Sequence, residues 1–179
     1  GNFNGQGYTI SGLYISKAGV DYVGLFGYVT GNISNLNLNV QDITGANYVG
    51  GLVGRSYLGT ITNSSVTISG NVTAINNNAG GLIGYSSGTI TNSSATISGN
   101  VTASSEAGGL VGYNTYGVIS GSSATVSGSG SVTAINDAGG LVGFSDYGVI
   151  SGSSATIQSG GRVTASNRIA GGLVGYQNY

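Results

Sequence analysis

One six-residue word recurs along this chain and restricts what it can fold into. Its cleanest form is Gly108-Gly109-Leu110-Val111-Gly112-Tyr113. Copies stand at Gly80–Tyr85, Gly139–Phe144 and Gly171–Tyr176. Gly50–Arg55 loses only the aromatic, and Gly24-Leu25-Phe26-Gly27-Tyr28 is a worn first copy. The leucines fall at 25, 52, 82, 110, 141 and 173, so the spacings are 27, 30, 28, 31 and 32. A period in that range marks a solenoid or another repeat array.

Between the copies the apolar residues recur every second position. Ile33-Ser34-Asn35-Leu36-Asn37-Leu38-Asn39-Val40 reads as an alternation of apolar and polar residues, that of a half-buried strand. From Gly50 onward each unit has three parts: the glycine–leucine word, a strand such as Gly88–Ser98, and a short strand such as Asn100–Ala103. Equivalent positions then fall into columns. Ile61, Ile90, Ile119 and Ile150 form one; Ile68, Ile97, Val126 and Ile157 a second; Val72, Val101, Val132 and Val163 a third. Threonines 67, 96, 125 and 156, and again 73, 102, 133 and 164, alternate with them. No stretch shows apolar residues at helical spacing.

These patterns predict an all-β fold: a parallel β-helix, or β-solenoid, of about six coils of 27–32 residues, with three short strands per coil. Coils stacked about 4.8 Å apart would make a rod on the order of 30 Å long. Residues 1–23 lack the word and are expected to form an atypical, capping coil, with 24–179 a single continuous domain of repeats. The uneven period places insertions at the corners 75–79, 127–131 and 158–162.

Composition agrees with stacked strands. Of 179 residues 36 are Gly and none is Pro, which cannot donate to a ladder. Charged residues are only 5%, against about a quarter in an ordinary domain. Like charges repeated along a column at about 4.8 Å would cost about 0.9 kcal/mol per pair even in bulk water. Asn, Ser and Thr can stack instead; Asn63 with Asn92 and Asn76 with Asn136 are candidate ladder pairs. His and Cys are absent, which removes the usual metal ligands, nucleophile–base pairs and any disulfide framework. A net charge of −1 gives no footprint for nucleic acid. No apolar run approaches a membrane span. The chain starts at Gly1 rather than Met and is expected to be a processed product or part of something longer.

The word Gly-Leu-(Val/Ile)-Gly-aromatic resembles the GLUG motif, found in repeat regions of large bacterial surface proteins that include adhesins. Asn4-Gly5-Gln6-Gly7-Tyr8-Thr9-Ile10-Ser11-Gly12-Leu13-Tyr14-Ile15 resembles the segment that often precedes such repeats, where Asp-Gly-Asn-Gly-Tyr is common; Asn4 and Gln6 depart from it. The resemblance covers 24–176 closely and 3–15 loosely. It implies a β-helix on an exported, extracellular or cell-surface protein, and no catalytic residues.

Tyr85, Tyr113, Phe144 and Tyr176 share a column with Tyr28 and with Arg55. One reading is a packed aromatic stack inside the coil; the other, favoured by Arg55 because an unpaired buried Arg is very costly, puts the column on the outside. By alternation Val53, Ile83, Val111, Val142 and Val174 would share that face, provided the following glycine does not turn the chain. The resulting stripe, edged by Tyr57, Tyr116 and Tyr147, is a candidate interaction surface. Glu106 and Asp137 occupy equivalent positions, with Asn78 extending the column; a calcium site or catalytic acid pair is the sharp reading, and solvated corner residues offset by Arg168 the plain one. Asn32, Asn63, Asn71, Asn92 and Asn100 match the glycosylation acceptor pattern. Thr60-Ile61-Thr62 and Thr89-Ile90-Thr91 begin a threonine row of the ice-binding kind, which Val118-Ile119-Ser120 and Val149-Ile150-Ser151 break. The expected role is therefore a structural or adhesive repeat module, without cofactor or catalysis. Its expected partners are further copies, in a filament or bundle, or a host or cell-surface glycan or protein. A carbohydrate-binding or polysaccharide-degrading β-helix and an ice-binding solenoid are the alternatives.

Overall fold

A computed structural model of the chain describes residues 1–179, and every regular element in it is a strand. The 26 strands pair only in parallel, each with its equivalent one coil away. Four sheets run the length of the molecule, here numbered I to IV in the order the chain visits them. In the fourth coil Thr89–Thr91 lies in sheet I, Ser94–Ile97 and Asn100–Ala103 in sheet II, Glu106–Gly108 in sheet III and Val111–Thr115 in sheet IV. Sheets I and IV have six strands each, so the solenoid has six coils. Residues 1–23 belong to the first coil: Phe3–Asn4 pairs with Asn32–Ser34, Thr9–Lys17 with Asn37–Gly45, and Val23 bridges Val49.

The columns read from the sequence are the registers of the sheets. Ile61, Ile90, Ile119 and Ile150 pair in sheet I, and the Ile68 and Val72 columns in sheet II. Their side chains fill a single core with Leu52, Leu82, Leu110 and Leu141. The insertions at 127–131 and 158–162 sit where they were expected, lengthening the gap between the two half-strands of sheet II in the last two coils.

A coil has one more corner than the sequence suggested. Gly88–Ser98 reads as one strand but breaks after Thr91, because Asn92 takes a φ of 48°. Asn35 and Asn63 do the same in their coils, as do Gly121 and Gly152 in theirs. Asn and Gly are the residues that enter the left-handed region most readily. The inward set shifts by one position at the bend, so that Ile90, Ser93, Ala95 and Ile97 are the buried residues, and a reading by period two alone runs past the break. A buried serine completes this corner. Ser64, Ser93 and Ser122 each donate their hydroxyl to a carbonyl two residues back. The hydroxyls of Ser93 and Ser122 also accept the amide of the equivalent serine one coil earlier, at 3.2 and 3.1 Å. Polar groups that would otherwise be orphaned inside are thereby satisfied.

Candidate functional site

The six-residue word is the arch between sheets III and IV, and its glycines explain the arch. A Cβ on Gly108 would fall onto the carbonyl oxygen of Val111 and lie 2.8 Å from the amide nitrogen of Gly143. One on Gly112 would lie 2.7 Å from the carbonyl oxygens of Ala79 and Gly84. The outward sides of sheets III and IV therefore press together at a glycine seam, which requires residues without side chains. Gly84 also interrupts the alternation: Ile83 and Tyr85 pair with Val111 and Tyr113, yet the former point inward and the latter outward.

That turn corrects the expected stripe. Val53, Ile83, Val111 and Val142 are fully buried in the core, and Val174 is half-buried only because its coil is the last. The other half of the stripe stands on the outside, which decides between the internal stack and the outer column. Tyr28 is 50% exposed, and Arg55, Tyr85, Tyr113, Phe144 and Tyr176 are half-buried on the outer side of sheet IV. Their rings form a ladder: Tyr85 stacks on Tyr113 at 5.4 Å, Tyr113 on Phe144 and Phe144 on Tyr176 at 4.9 Å each. Tyr22 and Tyr48, at the bends just before Val23 and Val49 of sheet III, join it from the other side of the seam; Tyr48 meets Tyr85 edge-on at 5.4 Å. The sequence reading missed these two because they precede the word rather than belong to it. Arg55 fills its gap in the ladder with its guanidinium over Tyr22, Tyr28, Tyr57 and Tyr85, 5.1–5.9 Å from their centroids. Cation–π attraction thus replaces the missing ring. Tyr116 and Tyr147 form a second, exposed stack at 5.4 Å beside it.

The acidic column lies in the same seam. Glu106 and Asp137 are paired neighbours, as their spacing indicated. Asp137 is not solvated: it is 0% exposed, and its carboxylate meets Arg168 Nη1 at 3.1 Å across the coil boundary. Burial raises the pKa of Asp137, with Arg168 and the Ile169 amide opposing. Glu106 is raised first by burial and then by the Asp137 charge. Facing them, Tyr113 is pushed up to about 12, first by burial and then by Asp146. No group of three or more carboxylates gathers here, and the pair's nearest cation is a side chain of its own seam.

Two asparagine ladders were expected elsewhere. The structure places the ladder on sheet II instead: Asn71 donates to Asp42, Asn100 to Asn71 and Ser131 to Asn100, at 2.7–2.9 Å. Asn63 donates weakly to Asn35, and Asn136 to Ser105, each at 3.4 Å. Of the acceptor-pattern asparagines, Asn63 and Asn92 are exposed corner residues, whereas Asn71 and Asn100 have their amides engaged in the ladder. The threonine row of sheet I ends where the sequence said, since Thr89 pairs with Val118 and Val118 with Val149.

The family model of the GLUG motif matches residues 45–73 and 103–133, which contain the arches Gly50–Arg55 and Gly108–Tyr113. The chain carries GLUG repeats. Halomucin of Haloquadratum walsbyi is 46% identical over 86 residues, 47% of this chain and 1% of that protein. A protein of Evansella cellulosilytica named "Putative Gly-rich membrane protein" is 44% identical over 73 residues, 38% of this chain and 8% of that protein. The stretch shared with this chain is thus a small part of each relative's length. No solved structure matches.

Proposed function

We propose that this chain is a structural repeat segment, a stiff rod that extends and spaces a much longer cell-surface or membrane-associated protein, with no catalysis of its own. The observation that carries this reading is the unbroken register. Each apolar column, such as Phe3–Ile33–Ile61–Ile90–Ile119–Ile150, runs through every coil, and the only two clefts lie at the ends. The location rests on the relatives: one is named a membrane protein, and both are far longer than the stretch they share with this chain. No helix of the chain is long and apolar enough to cross a membrane.

An adhesive role would use the outer ladder. Its rings cover each other's faces, with Tyr113 and Phe144 within 7° of parallel, so a partner meets ring edges and hydroxyls. A host or cell-surface glycan or protein would therefore be held at the exposed tyrosines Tyr57, Tyr116 and Tyr147 rather than on stacked sugar platforms. The rod reading is tested by small-angle scattering of a genetic tandem of two copies, at dilution. A doubled length at unchanged cross-section is expected; two flexibly joined bodies would refute a continuous spacer.

A further inference from the structure

We propose that the corner between sheets IV and I carries a one-ring binding gap at the end of the third coil, and that the gap takes a sugar ring whose hydroxyls are all equatorial. The proposal rests on the adhesive role of the exposed tyrosines and names the ligand they would hold. At this corner the coils differ by one residue. Ser56-Tyr57-Leu58-Gly59-Thr60 and Asn114-Thr115-Tyr116-Gly117-Val118 put three residues between their paired ends, whereas Ser86-Ser87-Gly88-Thr89 puts two. The residue that the third coil lacks is the one that stands left-handed in its neighbours: Leu58 at a φ of 56° and Tyr116 at 52°, with Tyr147 at 50° one coil further. That conformation is costly for a bulky side chain. The third coil shows that the corner closes without it. Strain kept where stacking does not require it points to a use.

The gap has two walls and a floor. Tyr116 and Tyr147 stack within 7° of parallel at 5.4 Å, so their rings face along the rod and Tyr147 covers one face of Tyr116. The other face of Tyr116 looks across the short corner toward Leu58. The two side chains are 71% and 69% exposed, so neither covers the other. Equivalent positions two coils apart are separated by about 9.6 Å. Two carbon contacts of about 3.5–4.0 Å each leave room for a single ring, and a puckered saturated ring, thicker than a flat one, takes up the remainder. Half-buried Ser87 and buried Gly88 form the floor, where the Ser87 hydroxyl accepts the Leu58 amide at 3.4 Å. Half-buried Thr60 and Thr89 carry hydroxyls beside it, and no charged residue occurs in 56–60, 86–89 or 114–118. Apolar walls with a few uncharged hydroxyls match a neutral ring that has carbon–hydrogen faces and hydroxyl edges, which is a pyranose. An aromatic side chain of a protein partner would bring no edge groups for those hydroxyls. Specificity follows from there being two walls. An axial hydroxyl would point into Tyr116 or Leu58 and lose its water without gaining a partner. Glucose-configured β-pyranoses carry no axial hydroxyl, whereas mannose and galactose carry one.

The test is a titration followed by backbone amide shifts in NMR, with cellotetraose, a β-1,4-linked glucose tetramer, set against the β-1,4-linked mannose tetramer. Cellotetraose should shift Leu58, Ser87, Gly88 and Tyr116 with a dissociation constant on the order of millimolar, in keeping with contact to one ring. The mannose tetramer should bind at least about tenfold more weakly, a loss of about 1.4 kcal/mol. Insertion of one Tyr after Ser87 gives the third coil the residue it lacks, fills the gap and should abolish the shifts without changing the strand signature in circular dichroism. Leu58→Gly keeps the left-handed backbone and removes one wall, so it should narrow the difference between the two sugars. No shift with cellotetraose at about tenfold the expected concentration, equal affinity for both tetramers, or binding that survives the insertion would each overturn the proposal. A tyrosine-bearing tetrapeptide that binds the gap more tightly than cellotetraose would also overturn it and assign the gap to a protein partner. Sugar-induced shifts confined to Tyr57 and Tyr147 would sink the gap but leave the adhesive role standing. The dilute tandem measurement is untouched by any of these results.

Discussion

A Cβ is the smallest change that can be made to the arch, and the structure assigns it different costs at different coils. On Gly109 it would land on the carbonyl of Gly140 and 2.9 Å from the Ala124 Cβ. On Gly172, the equivalent in the last coil, it meets nothing within 4 Å. Gly109→Ala should therefore destabilise by about 1–3 kcal/mol, the usual range for overpacking, while Gly172→Ala changes the thermal midpoint little. Equal effects at both positions would show that the glycines serve chain flexibility rather than close approach. The acid pair gives a second residue-scale test. Glu106 and Asp137 both have raised pKa values, mainly through burial. Between the ordinary carboxylate value and the raised one, the folded chain binds more protons than the unfolded chain. Stability therefore falls as pH rises through that window and is regained on acidification. Melting curves should show a midpoint that rises from neutral pH down toward the ordinary carboxylate range. Glu106→Gln combined with Asp137→Asn should flatten the slope. That the two acids are neighbours was legible from their identical place before Ala-Gly; that Asp137 is buried was not, because the cover comes from Arg168 one coil on and from a seam that only the folded arch creates.

At the scale of the strand and its corner, periodicity located the core columns but not the bends. Gly88–Ser98 was read as one strand, yet Thr91 and Asn92 put two outward residues in a row between the buried Ile90 and Ser93, and Asn92 turns the chain there. The clue was present in the composition of the column: Asn35, Asn63, Asn92, Gly121 and Gly152 are the residues suited to positive φ. The converse error came from Val53, Ile83, Val111 and Val142, where a glycine after each one cancels the alternation that would have carried it outside. Arg55 was the clue that favoured the outside for the aromatic column over an internal stack, because desolvating a lone guanidinium is too costly for an inward site. The corner gives a direct test. Asn92→Gly should be tolerated, since coils five and six already use glycine there. Asn92→Val should cost about 1–2 kcal/mol, the price of a left-handed conformation for a side chain branched at Cβ. Equal melting of the two variants would mean that the corner is not held in the left-handed region.

At the scale of the whole molecule, each coil contacts only the coils above and below it, so stability should behave as a sum of coil terms and interface terms. The sequence announced this architecture because a repeat fixes one coil and then multiplies it; it did not announce a ligand, because the repeated positions are those that stacking itself requires. Removing one repeat tests the additivity. Ile90 and Ile119 occupy the same column, so deleting Ile90–Val118 joins Thr89 directly to Ile119 and removes one full circuit of the four sheets. All remaining columns keep their inward or outward sense, and the arch Gly139–Phe144 comes to lie next to Gly80–Tyr85. The shortened chain should fold cooperatively with the same strand signature in circular dichroism and a modestly lower midpoint. Deleting Ile90–Ala103 instead removes sheets I and II of that coil but leaves sheets III and IV, so every later strand must seek a partner on the wrong face. That chain should fail to fold or should aggregate. If the full-coil deletion fails as badly as the partial one, the coils are not interchangeable units, and the solenoid depends on a specific contact between its distant ends rather than on neighbours.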